Sequence, residues 1–187
     1  NEDAQMTVNA FEKAHPDIGV KWIRDGTTKL TARLQAEFAA GAATPDVLLL
    51  ADNVTMESLK QQHLLAPYKS PQTARFDSAL YDKDGFYSGT KLITTGIAYH
   101  TKAPVKPVSW NDLLQPEVRN MTTLTSPLYS GAAQIHQAAV MNDPALGWAY
   151  YEKLKENGAM PQSGNGAVMS AIASGSKAYG VLVDYMA

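Results

Sequence analysis

Three short stretches place small or hydroxyl-bearing residues where a helix is about to open: "DGTT" (residues 25–28), "SPLYSGAA" (126–133) and "SGNGA" (163–167). The helices they lead into start near Lys29, Ala132 and Val168. The first N–H groups of a helix have no partner within it, and that end carries about half a positive charge. Such an end suits a small anion, glycine lets the ligand approach the backbone, and a hydroxyl adds a donor. The same residue types cap helices everywhere, so one junction alone signifies little. Several at the carboxyl ends of sheet strands are what an open α/β sheet offers a ligand. The residues singled out this way are Thr27, Thr28, Ser126, Ser130, Gly131, Ala132 and Asn165.

Motifs of covalent chemistry are missing from the chain. There is no G-x-S-x-G elbow, no H-E-x-x-H and no G-x-x-x-x-G-K-[ST] loop. "SGNGAVMS" begins like a dinucleotide loop, but Met169 takes the third glycine position. His15, His63, His100 and His136 have no metal-ligand spacing and read as surface or packing residues. Tyr150 and Tyr151 are adjacent on a predicted helix, so one points inward and the other toward solvent. No cofactor, no metal and no enzymatic activity are expected.

These residues need a scaffold. The chain has 187 residues, 45% of them hydrophobic, with a net charge of −2. That supports one domain or two small lobes, and gives no basis for nucleic-acid binding. No apolar run approaches a membrane span of about 18 residues. Cysteine is absent, which excludes disulfides and cysteine-ligated zinc. The opening "NEDAQMTVNAF" is polar and helix-like, not a signal peptide.

Along the chain, residues 2–14 read as a helix stopped by Pro16. "GVKWI" (19–23) and "DVLLL" (46–50) read as strands. Between them Leu30, Leu34 and Phe38 mark an amphipathic helix ending at Gly41, which completes a βαβ unit. A helix with Val54, Met56 and Leu59 follows "ADN". Residues 89–104 read as two β segments meeting near Gly96, and Ser109 caps a short helix in a proline-rich stretch. Then come a strand at "MTTLT", a helix over 130–141, and a helix started by Pro144 and ended by Asn157–Gly158. Last are a helix capped by Asn165 and a final strand in "KAYGVLVDYM". Two blocks of βα units suggest an α/β fold with two lobes, 1–96 and 97–187, joined by a crossing near 94–104.

The stretches "FEKAHPDIGVKWI", "TARLQAEFAAGAATPDVLLLAD", "LLAPYKSP", "TTGIAYHTKAP", "SWNDLLQPE", "SPLYSGAA", "GWAYYEKLKENGA" and "SGNGAVMSAIASGSKAYGVLVDYM" together resemble the periplasmic solute-binding proteins of ABC importers. The nearest group includes ferric-iron and 2-aminoethylphosphonate binders. The resemblance implies a two-lobed type II periplasmic binding fold, a small-molecule ligand in the cleft, and delivery to an importer permease. It also implies a periplasmic monomer without stable membrane insertion. Family members usually have a strand before the first helix and a long continuation after the position of Ala187, so a partial chain is expected here.

Ferric binders of the group place two adjacent tyrosines where this chain has Asp184, Tyr185 and Met186. Methionine is a poor ligand for hard ferric iron, which makes iron the alternative. The resemblance favours members for 2-aminoethylphosphonate, GABA or similar ω-amino acids. On that reading the acidic end sits on Ser130, Gly131 and Ala132, with Ser126, Thr27 and Thr28 assisting. Asp184 takes the ammonium, and Phe86, Tyr87, Tyr129 and Tyr185 form walls. Thr94 and Thr95 line the cleft at the lobe crossing. A second alternative is a fragment of a sensor built on a binding protein.

Overall fold

The computed structural model describes residues 2–42 and 45–187. Three helices build the first half: α1 (Glu2–Ala14), α2 (Thr27–Ala39) and α3 (Asn53–Gln61). α2 opens at Thr27 as expected, and Gly41 ends it with φ +60°, where a side chain would be strained. α3 opens on Asp52, whose Oδ1 accepts from the Thr55 N–H at 2.6 Å and whose Oδ2 accepts from the Thr55 hydroxyl at 3.1 Å. Leu34 and Leu59 are the buried anchors of α2 and α3.

The βαβ unit expected over 19–50 is corrected by the structure. Residues 19–23 and 46–50 have no ladder partner among the described residues, although α2 lies between them. An apolar run calls for burial, but only a neighbouring backbone makes it a strand. Val47 and Leu49 accordingly stay exposed.

The second half contains β1 (Thr95–Tyr99), β2 (Thr122–Thr125), α4 (Gly131–Asn142), α5 (Gly147–Glu156), β3 (Met160–Gln162), α6 (Asn165–Ala173) and β4 (Tyr179–Val183). The sheet order is β1-β4-β2-β3, with β4, β2 and β3 parallel and β1 antiparallel to β4. All five residues of β4 are buried, as suits an apolar strand in the middle of a covered sheet. Tyr179 and Val181 pack with Leu113, Val118, Val140, Tyr150 and Leu154 on the face covered by α4 and α5. Leu182 packs with Val168 and Ile172 of α6 on the other face. The Tyr179 hydroxyl donates to the Val105 carbonyl and accepts from the Val105 N–H, each at 2.9 Å, which ties the proline-rich stretch to the sheet. Ser109 caps the short 3-10 turn Trp110–Leu114 in a reciprocal box with Asp112.

Four further expectations change. Residues 89–104 hold one strand, which runs straight through Gly96. β3 was not among the strands read from the sequence; it is an edge strand, where the missing N–H of Pro161 is tolerated. α5 starts at Gly147, because Pro144 sits in a turn that precedes it. Gly164, not Asn165, is the N-cap of α6. Among the described residues no helix is long and apolar enough to cross a membrane.

Candidate functional site

Two of the three helix openings meet. A side chain on Gly26, the N-cap of α2, would run into the Tyr129 carbonyl just before α4. A Cβ on Gly131, the first residue of α4, would lie 2.5 Å from Asp52 Oδ2 and 3.1 Å from Thr27 Oγ1. The openings of α2, α3 and α4 therefore converge, and glycine at 26 and 131 is what permits it. Among the described residues no side chain caps α2. Ser130 caps α4 by accepting from the Ala133 N–H at 3.3 Å. Thr27, Asp52 and Ser126 are buried polar residues of this junction or of the turn leading into it.

A recess of about 260 Å³ opens beside the junction, lined by Thr27, Thr28, Thr31, Gln35, Thr55 and Gln134. The Thr31 hydroxyl donates back to the Thr27 carbonyl at 2.9 Å. The Gln134 side-chain amide donates to the Pro127 carbonyl at 2.8 Å, bracing the turn that leads into α4. Within that turn the Ser126 hydroxyl accepts from the Leu128 N–H at 3.2 Å, and the Tyr129 N–H donates to the Ser126 carbonyl at 3.2 Å. Ala132 is buried in the first turn of α4.

The third opening serves the sheet. Asn165 Oδ1 accepts from the Thr125 hydroxyl at 2.9 Å and from the Val183 N–H at 3.1 Å. It thereby pins the carboxyl ends of β2 and β4 to the start of α6. A smaller recess of about 110 Å³ lies there, with Thr95, Thr125, Asn165, Val183, His136 and Tyr151 in its wall.

The remaining expected residues are engaged elsewhere. Asp184 Oδ1 accepts from the backbone N–H groups of Thr94 at 3.3 Å and Tyr185 at 2.9 Å. The Asp184 N–H returns a bond to the Thr94 carbonyl at 2.9 Å. A hydrogen bond with the Thr94 side chain is the main reason its carboxyl lies below the usual range, and the backbone bonds add to it. Phe86 and Tyr87 pack on α3: the Lys60 ammonium stands 5.3 Å from the Phe86 ring centroid, and the Tyr87 hydroxyl donates to Glu57 at 2.8 Å. The Tyr185 ring carries the Lys91 ammonium 3.6 Å from its centroid. Tyr150 is buried and its hydroxyl donates to the Trp110 carbonyl at 3.1 Å. Tyr151 does not reach solvent as expected: its hydroxyl is buried and has no hydrogen-bond partner among the described residues, and burial pushes it up to about 12.

Asp52 and Gly26 were missed in the sequence. "ADN" has the same signature as the other openings, an apolar run followed by a capping residue, and would have pointed to Asp52. Gly26 sits inside the quoted "DGTT", where only the threonines were singled out.

The fold has known counterparts. The periplasmic binding protein P5PA matches with TM-score 0.82 at 22% identity, over 100% of this chain and 62% of that one. AfuA from Actinobacillus pleuropneumoniae, solved with exogenous fructose-6-phosphate bound, matches with TM-score 0.80 at 21% identity, over 96% of this chain and 59% of that one. Iron-bound HitA from Pseudomonas aeruginosa matches with TM-score 0.76 at 22% identity, over 96% and 58%. The chain thus spans about 60% of the length of these proteins. No curated protein matches it by sequence. Residues 7–184 match the family described as bacterial extracellular solute-binding protein, a family of binders and not of enzymes. With nearly the whole chain matched, and with an α/β fold shared with periplasmic binding proteins, the protein belongs to the bacterial extracellular solute-binding family.

Proposed function

We propose that the chain captures a small zwitterionic or anionic solute, of the 2-aminoethylphosphonate or ω-amino acid class, and hands it to an ABC importer in the periplasm. The observation that carries this reading is the convergence of the α2 and α4 openings at Thr27 and Gly131. Their free N–H groups, with the Ser130 and Thr28 hydroxyls, form a set of neutral donors for an acidic group. The division into lobes 1–96 and 97–187 with a crossing near 94–104 belongs to the proposal. It has support in the pinning of Thr94 to Asp184, which holds the strand that enters the second half beside the strand that ends it. The ferric alternative has less support. Where ferric binders of the group place two adjacent tyrosines, Tyr185 is followed by Met186, and methionine is a poor ligand for hard ferric iron.

A thermal-shift screen of the full chain tests the reading. The panel holds 2-aminoethylphosphonate, GABA, β-alanine, inorganic phosphate, a polyamine and ferric citrate. A ligand bound only by the folded state raises the melting temperature by mass action. We expect the shift with an aminophosphonate or ω-amino acid. A shift with ferric citrate alone would replace this reading with the iron one.

A further inference from the structure

The smaller recess, of about 110 Å³, lies apart from the helix junction and shares no lining residue with the recess there. Leu124, Pro127 and Val181 give it a largely apolar wall, into which the rings of His136, Trp148 and Tyr151 are set. Among the described residues no Asp, Glu, Lys or Arg lines it. The Trp148 and Tyr151 ring centroids are 5.9 Å apart, with planes tilted by 46°. Trp148 is 53% exposed, so the recess has an aromatic edge at the surface.

This wall holds an unused polar group. The Trp110 ring stands 4.8 Å from the His136 imidazole, centroid to centroid. Among the described residues neither nitrogen of that imidazole has a hydrogen-bond partner, and burial alone acts on its proton balance. Unlike the Tyr151 hydroxyl, these nitrogens are not sealed in the core. Thr125 and Asn165, also in the wall, are bonded to each other. Burial keeps the imidazole neutral near pH 7, where it offers one N–H donor and one acceptor nitrogen.

We infer that this recess binds a small neutral aromatic alcohol of phenol size, its ring among Trp148, Tyr151 and the aliphatic wall and its hydroxyl bonded to His136. The volume suits a single ring: an apolar cavity of about 150 Å³ takes up benzene. Tilted rings and aliphatic carbons favour an aromatic guest. A charged guest would give up its hydration here without a counter-ion, whereas a hydroxyl exchanges water for an imidazole nitrogen. The inference is independent of the zwitterion reading, which concerns the other recess and a solute charged at both ends.

The test is a fluorine NMR titration of the full chain with 4-fluorophenol, fluorobenzene and 4-fluorobenzoate. The first two differ by the hydroxyl, and the third carries a charge. We expect the wild type to hold the phenol about three- to tenfold more tightly than fluorobenzene, the size of one neutral hydrogen bond, and to hold the benzoate least. His136→Leu should bring the phenol and fluorobenzene to within about twofold of each other. His136→Gln, which keeps a donor and an acceptor, should retain a preference for the phenol. Ala133→Leu fills the recess and should abolish binding of both rings, and melting curves verify that each variant folds. A wild type that binds neither ring, that shows no preference for the phenol, or that prefers the benzoate overturns the inference. So does a phenol preference undiminished in His136→Leu, or binding that survives Ala133→Leu.

Discussion

His136 carries a proton balance that its surroundings set. It is half-buried on α4, with its ring centroid 4.8 Å from that of Trp110. Burial disfavours the imidazolium and holds its pKa below the usual histidine value. As pH falls through about 6.5, the unfolded chain takes up a proton that the folded chain resists. Stability is therefore complete above that pH and declines below it. We expect His136→Leu to flatten the fall in melting temperature between pH 7 and pH 5. An unchanged slope, followed by circular dichroism, would rule this out. Single residues also show why the site was only partly legible. Thr27, Ser130 and Gly131 could be read because capping chemistry is local. The engagement of Phe86 with Lys60, Tyr87 with Glu57 and Asp184 with Thr94 could not. Those partners are 26–90 positions away, and no local pattern encodes them.

At the scale of elements, α6 sits on β4 through one glycine. A Cβ on Gly180 would lie 2.6 Å from Val168 Cγ1 and 3.1 Å from Ile172 Cγ1. Gly180→Ala should destabilise the chain by about 1–3 kcal/mol, the usual cost of overfilling a packed core. Urea denaturation measures it, and a variant as stable as the wild type would mean that α6 shifts freely. Helices were the most legible elements, because a 3.6-residue period and caps such as Ser109 and Gly41 are written in consecutive residues. Strands were less so. β4 was found from its apolar run, whereas β3 hid behind Pro161, and "GVKWI" and "DVLLL" had the composition of strands without the neighbours. Pairing is a property of two segments, and composition describes one.

Over the whole molecule, the junction of α2, α3 and α4 joins residues more than 100 positions apart, so it governs how the two halves of the chain approach. Gly131→Ala places a methyl group against Asp52 and Thr27 and should push α4 away from them. The chain has no cysteine, so Lys29→Cys and Ala138→Cys permit clean spin labelling of α2 and α4. We expect a longer or broader label separation in Gly131→Ala, and weaker solute binding. An identical distance distribution would show that the junction yields at no cost. Asn165 lines the other, smaller recess, beside the sheet. Its side-chain oxygen takes the Val183 N–H, so this amide in β4 depends on a side chain and not on the ladder. Any solute that draws on Asn165 loosens that hold. In deuterium oxide the Val183 amide then becomes an isotopic clock, and its exchange rate reads the occupancy of a cleft from within the core.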